Sequence, residues 1–160
     1  MKKKLVLFVL ASLLLVMPAA VGQTSSASDL DRLSDIIHQT LQHELPAVVC
    51  RRGQPIEGSG SVLVESCFSG ENVLKLSVIP YASKELARSR FREFAALKRD
   101  REATADIGEE GYAWGFRKSN IAFREDRYNT YVSIDDSEVV DADKICKQFA
   151  KAVTKGLKNL

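Results

Sequence analysis

Histidine is scarce in this chain of 160 residues, which contains only His38 and His43. The two lie five positions apart, and on a helix this spacing separates their side chains by about 140° around the axis. Two helical histidines that bind one metal ion are usually four positions apart, on the same face. We therefore expect two surface histidines, no metal site and no bound cofactor.

The chain also lacks the motifs of nucleophilic catalysis. No serine lies in a Gly-x-Ser-x-Gly elbow, and the closest segment, Gly-Ser-Gly at 58–60, is typical of a hairpin turn. Acidic residues are dense at 109–110, at 135–136 and between 138 and 143, but no pair stands out as the two carboxylates of a glycosidase. These absences favour a binding or interaction domain, and a small secreted hydrolase with a carboxylate or serine site is the alternative.

No apolar run is long enough to cross a membrane. The longest, at 5–17, has thirteen positions, whereas a spanning helix needs about 20. Three lysines precede this run, and Ala20 and Gly22 follow it, which is the pattern of a secretory signal peptide cleaved between Gly22 and Gln23. We expect a signal peptide at 1–22, a flexible leader at 23–28 and one domain at 29–160. The mature chain then has no transmembrane segment and works in the periplasm or outside the cell.

The mature chain has no excess of basic residues. Removal of the signal peptide takes three lysines and no acid from the 23 basic and 21 acidic residues, so the formal charge becomes −1. Proteins that bind nucleic acid usually carry a clear basic excess. We therefore expect no nucleic-acid partner.

Cysteine occurs only three times, so at least one thiol stays outside any intrachain pair. Cys50 and Cys67 each end an apolar run, and the segment between them is rich in Gly, Pro and Ser. Two such runs predict a hairpin, in which facing cysteines lie within the ~4.4–6.8 Å Cα separation of a disulfide. Cys146 lies in an apolar helical stripe, which is typical of a buried free cysteine. We expect a Cys50–Cys67 disulfide, and a bridge from Cys146 to either strand is the alternative.

The spacing of apolar residues and turn residues predicts nine elements. They are a helix at 28–45, strands at 48–50, 61–67 and 73–79, a helix at 83–101, strands at 112–116, 121–123 and 131–134, and a helix that starts near 137–141 and includes Leu157. The order α-βββ-α-βββ-α predicts an α+β domain, because strands in blocks pair antiparallel and each amphipathic helix must cover the sheet. We expect the helices to pack on one face.

Tyr112, Trp114 and Phe116 alternate along one predicted strand. Buried tyrosine and tryptophan need a partner or a wet edge for their polar atoms. These three residues are therefore candidates for a groove that binds an apolar small molecule or a peptide. The alternative is that they form part of the sheet core.

Arg88, Arg92 and Arg99 form a basic flank on the second predicted helix. Arginine supplies several donors in a fork, which suits an anionic surface such as lipid headgroups, a polyanionic glycan or an acidic partner. The alternative is a solvated helix face, because nearby glutamates can pair with these bases at helical spacing.

The segment 108–116 reads Gly-Glu-Glu-Gly-Tyr-Ala-Trp-Gly-Phe, and Ile-Ala-Phe-Arg follows at 121–124. Residues 107–134 thereby resemble part of small exported bacterial domains of unassigned function, which include lipoproteins and the sensor parts of membrane kinases. The resemblance implies a bacterial, exported protein and carries no catalytic residue. The chain differs from the lipoproteins, because no cysteine follows the signal peptide to accept lipid.

Overall fold

The computed structural model describes residues 27–53, 62–134 and 139–160. Their elements are α1 (Ala27–Glu44), β1 (Val48–Arg52), β2 (Leu63–Ser69), β3 (Asn72–Pro80), α2 (Lys84–Ala96), β4 (Glu102–Ala103), β5 (Glu110–Trp114), β6 (Asn120–Glu125), β7 (Tyr128–Ile134) and α3 (Ala142–Leu157). A short 3-10 helix, Phe116–Lys118, joins β5 to β6. The predicted signal peptide, the leader up to residue 26, the turn at 58–60 and the acids at 135–136 and 138 lie outside the described residues.

The strands form one seven-stranded sheet in the order β1-β2-β3-β7-β6-β5-β4. Every neighbouring pair is antiparallel. Strands that follow one another in the chain are therefore neighbours within each block, and the β3–β7 pair joins the two blocks. This confirms the predicted α+β class and the antiparallel sheet.

Helices α1 and α3 pack against each other and against one face of the sheet. The apolar residues of α1 recur every three or four positions, so they share one side of the helix. The core includes Leu30, Leu33, Ile37 and Leu41 of α1, Cys146, Phe149 and Val153 of α3, and Leu76, Ile121, Phe123 and Val132 of the strands. Burial of each large apolar side chain contributes ~1.5–3 kcal/mol. No helix in the described ranges is long and apolar enough to cross a membrane.

Helix α2 packs on the opposite face of the sheet. Its Phe91 ring stacks on Tyr112 of β5 at 5.9 Å, and Phe94 meets Tyr131 of β7 edge to face at 4.6 Å. Tyr131 points away from α3, because its strand neighbour Val132 faces the core. The prediction that all helices share one face therefore holds for α1 and α3 and is wrong for α2.

The segment after α2 also differs from the prediction. Ser83 caps the start of the helix, because its Oγ accepts from the Leu86 amide at 3.2 Å, and the helix ends at Ala96 instead of near residue 101. Asp100 adopts a left-handed φ of 56°, which is incompatible with a continuing helix. Glu102 and Ala103 then form the edge strand β4, which the sequence did not predict. Four strands therefore lie between α2 and α3, instead of the three predicted.

The hairpin of β1 and β2 has the predicted disulfide. Cys50 and Cys67 stand directly opposite each other in the register, and their sulfur atoms are bonded. Cys146 is free and buried on α3, as predicted. Its burial raises the pKa of the thiol to about 12, so the group stays protonated at neutral pH.

Candidate functional site

The two aromatic side chains of β5 lie beneath α2. Tyr112 and Trp114 are half-buried, and Phe94 meets the Trp114 ring edge to face at 5.7 Å. Lys98 places its Nζ 5.3 Å from the centre of the same ring. Phe116 lies outside the strand, because Gly115 turns the chain with a φ of 84°, and 67% of Phe116 is exposed. The structure therefore brings two of the three predicted aromatic residues together and separates the third.

The structure likewise brings together two of the three arginines of the predicted flank and separates the third. Arg88 and Arg92 place their Nε atoms 3.4 and 3.5 Å from the two carboxylate oxygens of Glu110 on β5. These pairs fasten α2 to the sheet, although partly exposed pairs contribute only ~0–1 kcal/mol each. Arg99 lies beyond the end of α2 and is exposed. Arg88 and Arg92 thus contact the strand that carries Tyr112 and Trp114.

A buried guanidinium group also contacts Glu110 and its neighbour Glu109. Arg124 is fully buried on β6, and its Nη2 lies 2.7 Å from Glu109 Oε2 and 3.3 Å from Glu110 Oε1. Lys84 Nζ donates to the other Glu109 oxygen at 2.7 Å. Burial alone would raise the pKa of Glu109, but the bonds from Lys84 and Arg124 outweigh it and lower the pKa to about 2. A carboxyl group ionised so strongly cannot serve as the general acid of a glycosidase.

The glycines beside these acids allow the chain to enclose Arg124. Gly108 has a φ of +66°, and a Cβ there would lie 2.5 Å from the carbonyl oxygen of Arg124. The amide of Glu109 donates to that carbonyl at 2.8 Å. The Gly-Glu-Glu-Gly segment, which carried the resemblance, is therefore a structural support for Arg124 in this chain.

A second polar cluster, absent from the sequence predictions, lies between α1 and the sheet. Glu65 of β2 is fully buried, and its Oε1 accepts from Ser34 Oγ at 2.6 Å while its Oε2 lies 2.5 Å from His38 Nε2. The expectation of a surface side chain holds for His43, which is 85% exposed, but not for His38, which is 31% exposed. Glu65 alternates in phase with Leu63 and Cys67, so strand periodicity is the signal that could have placed this carboxylate on the core face.

The cluster is not a nucleophile triad. In such a triad the serine donates to the histidine, which takes its proton. Here Ser34 donates to the carboxylate, and its side chain is buried on α1. Glu65 therefore separates the hydroxyl from the imidazole and prevents His38 from activating it.

On the face of the sheet that receives α2, the side chains of β1, β2 and β3 are not buried. Ser77 of β3 stands opposite Tyr131 in the register, so it shares the face on which α2 packs. We call the outward side chains of β1, β2 and β3 on this face the open half-face: Val49, Arg51, Val64, Ser66, Phe68, Val73, Lys75, Ser77 and Ile79. None of these nine residues is buried, whereas their neighbours on the other face, such as Leu74 and Leu76, are fully buried.

A polar row crosses the middle of the open half-face. Ser133 of β7, Lys75, Ser66 and Arg51 face one another in that order on four adjacent strands. Neighbouring strands are ~4.8 Å apart, so the row spans roughly 14 Å. The strand residues of the open half-face include two cations and no carboxylate. The surface therefore combines apolar side chains with a line of hydroxyl groups and positive charge.

Comparison of the chain with protein-family models, with curated proteins and with solved structures gave no match. The resemblance over residues 107–134 therefore stays a prediction.

Proposed function

We propose that this chain is an exported, non-enzymatic interaction domain that binds a partner protein on the open half-face. The partner segment is an amphipathic helix with apolar residues on one side and acidic residues beside them. The observation that carries the proposal is a seven-stranded sheet with one face only partly covered by α2. A sheet face with unburied Phe68, Val73 and 60%-exposed Val49 is a surface that a partner can cover.

The shape of the surface supports a polypeptide partner. Small-molecule sites are usually concave and enclose most of their ligand. The open half-face is instead built from the side chains of three adjacent strands, and α2 already packs as a helix over the other half of the same face. A second helix beside α2 would extend the same helix layer.

The charge of the surface supports an acidic partner. Arg51 and Lys75 are exposed, and the Arg51 guanidinium lies 5.5 Å over the Phe68 ring. Carboxylates above this row would accept from the Arg51 guanidinium and from the serine hydroxyl groups, while apolar side chains cover Phe68 and Val73. Such complementarity favours acidic partners over basic ones and speeds association.

Export is supported by two observations of different kinds. The N-terminal pattern is that of a signal peptide. The Cys50–Cys67 disulfide is of a kind that persists in oxidising compartments and is rare in the cytosol.

The secreted hydrolase stays the competing proposal, and it has weaker support. Ser34 donates its hydrogen bond to Glu65 rather than to the imidazole of His38, and Glu109 is held ionised. Hydrolysis assays with ester, peptide and glycoside substrates test this competing proposal. Turnover abolished by a single Ser, Asp or Glu substitution would establish the enzyme.

The binding surface can be tested with a defined peptide. We would titrate the isotope-labelled domain with a synthetic amphipathic helix of about 18 residues, roughly five turns, with Leu on one face and Glu on the other. We expect amide chemical-shift changes confined to β1, β2 and β3. Affinity should fall at least about fivefold in the double variant Arg51→Glu/Lys75→Glu and when salt rises from about 0.05 to about 0.5 M.

A matched variant with the same change in charge serves as the control. Lys144→Glu/Lys158→Glu alters two exposed lysines of the opposite helical layer and should bind as the wild type does. Shift changes on α1 or α3, equal binding of a Lys-for-Glu peptide, or equal binding of phosphatidylglycerol vesicles would each contradict the proposal.

A further inference from the structure

Three metal-ligating side chains converge where α1 crosses the first hairpin. His38 of α1, Cys50 of β1 and Glu65 of β2 place a ring nitrogen, Sγ and a carboxylate oxygen within 4.8 Å of one another. Cys50 is bonded to Cys67, so its sulfur cannot ligate a metal while the disulfide is intact. Reduction of that one bond would complete a set of nitrogen, sulfur and oxygen ligands.

We propose that the reduced protein binds one zinc ion through His38, Cys50 and Glu65, with water at the fourth position. The set of imidazole, thiolate and carboxylate is one that zinc accepts, and three protein ligands with a water are typical of an open zinc site. Zinc bonds of about 2.0–2.3 Å place tetrahedral ligand atoms about 3.3–3.7 Å apart. The three ligand atoms need only small movements from their present positions to meet this requirement.

The surroundings of the cluster prepare it for a cation. Ser34 donates to Oε1 of Glu65 at 2.6 Å and so leaves Oε2, the oxygen nearest His38, for the metal. A hydrogen bond of this kind orients a carboxylate ligand. Glu65 is fully buried while His38 is partly exposed, so the ion can approach from the His38 side.

The chemistry requires a reductant and releases one proton. A dithiol transfers two electrons and two protons to the disulfide and becomes a disulfide itself, which leaves Cys50 and Cys67 as thiols. Zinc then replaces the proton of the Cys50 thiol, because the thiolate is the metal ligand. The proton between His38 Nε2 and Glu65 Oε2 moves to Nδ1 of the imidazole, which leaves both ligand atoms for the ion. Oxidation back to the disulfide removes the sulfur ligand, so zinc binding is coupled to the thiol redox state.

Cys146 and His43 do not compete for the ion. The pKa of Cys146 is raised to about 12, so the buried thiol stays protonated. His43 lies 85% exposed on α1 and belongs to none of the ligand groups found among the described residues. These two residues therefore provide internal controls.

The test is a zinc titration of the full mature chain against a chromophoric chelator, before and after reduction. A phosphine is the reductant of choice, because it takes oxygen from water to become the phosphine oxide and leaves no thiol to bind zinc. We expect one zinc per reduced chain and none per oxidised chain. Cobalt added in place of zinc should give a thiolate-to-metal charge-transfer band.

Paired variants identify the ligands. His38→Ala should weaken zinc binding at least about tenfold, whereas His43→Ala should leave it unchanged. Cys67→Ala frees Cys50 and should bind zinc without any reductant, whereas Cys50→Ala should not bind even when reduced. Both histidine variants alter partly exposed side chains, so they decide the question even if Cys67→Ala fails to fold.

Several results would overturn the proposal. One is zinc bound as tightly by the oxidised as by the reduced wild type, and another is equal affinity in the two histidine variants. A cobalt complex with no thiolate band would exclude Cys50 as a ligand.

Discussion

Glu109 is held by two cations, one buried and one half-exposed, so its contribution to stability depends on pH. Burial opposes its ionisation, but Lys84 and Arg124 lower its pKa from 4.5 to about 2. The folded-state pKa lies below the unfolded-state value, so the stabilisation is fully present above about pH 4.5 and is lost as the pH falls towards about 2.

We expect the unfolding free energy of the wild type to fall by about 1 kcal/mol more than that of Glu109→Gln between about pH 5 and pH 3, after allowance for solvent screening. Urea unfolding at several pH values measures this difference. Glu93→Gln removes an exposed pair with Arg90 and is the control. An equal change in the pH profile of that variant would show that the buried network is not responsible.

Two glycines with nearly the same backbone angle separate the effect of backbone conformation from that of crowding. Gly70 has a φ of +61° and open space where a Cβ would lie, whereas Gly108 has a φ of +66° and the Arg124 carbonyl at that place. We expect Gly70→Ala to cost about 1 kcal/mol, the usual penalty of a left-handed residue. Gly108→Ala should cost about 3 kcal/mol or more, since the added carbon also displaces β6. Similar unfolding midpoints for the two variants would contradict the close approach at Gly108.

Helix α2 is held to the sheet by its aromatic residues, and Phe94 contacts both Trp114 and Tyr131. Trp114 is the only tryptophan, so its fluorescence reports on this contact. We expect an emission maximum between the buried and exposed extremes in the wild type, and a shift to longer wavelength in Phe94→Ala with a loss of about 2 kcal/mol. Leu97→Ala, at an 80%-exposed position at the end of the helix, should change neither quantity. An unshifted emission in Phe94→Ala would mean that α2 does not shield the indole.

At the scale of the whole molecule, the predicted export requires cleavage of the chain after Gly22. We expect protein recovered outside the cytoplasm to begin at Gln23, to lack residues 1–22 and to contain the Cys50–Cys67 disulfide. Intact-mass spectrometry of fractionated cells measures both features. Replacement of the small residues Ala20 and Gly22 by Leu should prevent cleavage and retain the precursor. Cytosolic wild-type protein that begins at Met1 would contradict export.

The sequence by itself determined the features that depend on near neighbours in the chain. Apolar spacing of three to four residues located α1 and α3, and alternation located β2 and β3, because a helix and a strand each repeat at their own period. The spacing of Cys50 and Cys67 across one turn predicted their disulfide for the same reason. The apolar stripe of Ala142, Phe149 and Val153, in which Cys146 lies at helical spacing, likewise predicted its burial.

Only the tertiary structure decided which distant residues meet. An amphipathic helix shows which of its sides is apolar but not which face of the sheet receives it, so the apolar pattern of α2 does not predict that it packs opposite α1 and α3. The contacts of Arg88 and Arg92 with Glu110, and of His38 with Glu65, join residues more than fifteen positions apart through the packing of whole elements. The open half-face likewise exists because α2 covers one half of the sheet and leaves the other, and strand alternation alone does not specify that choice.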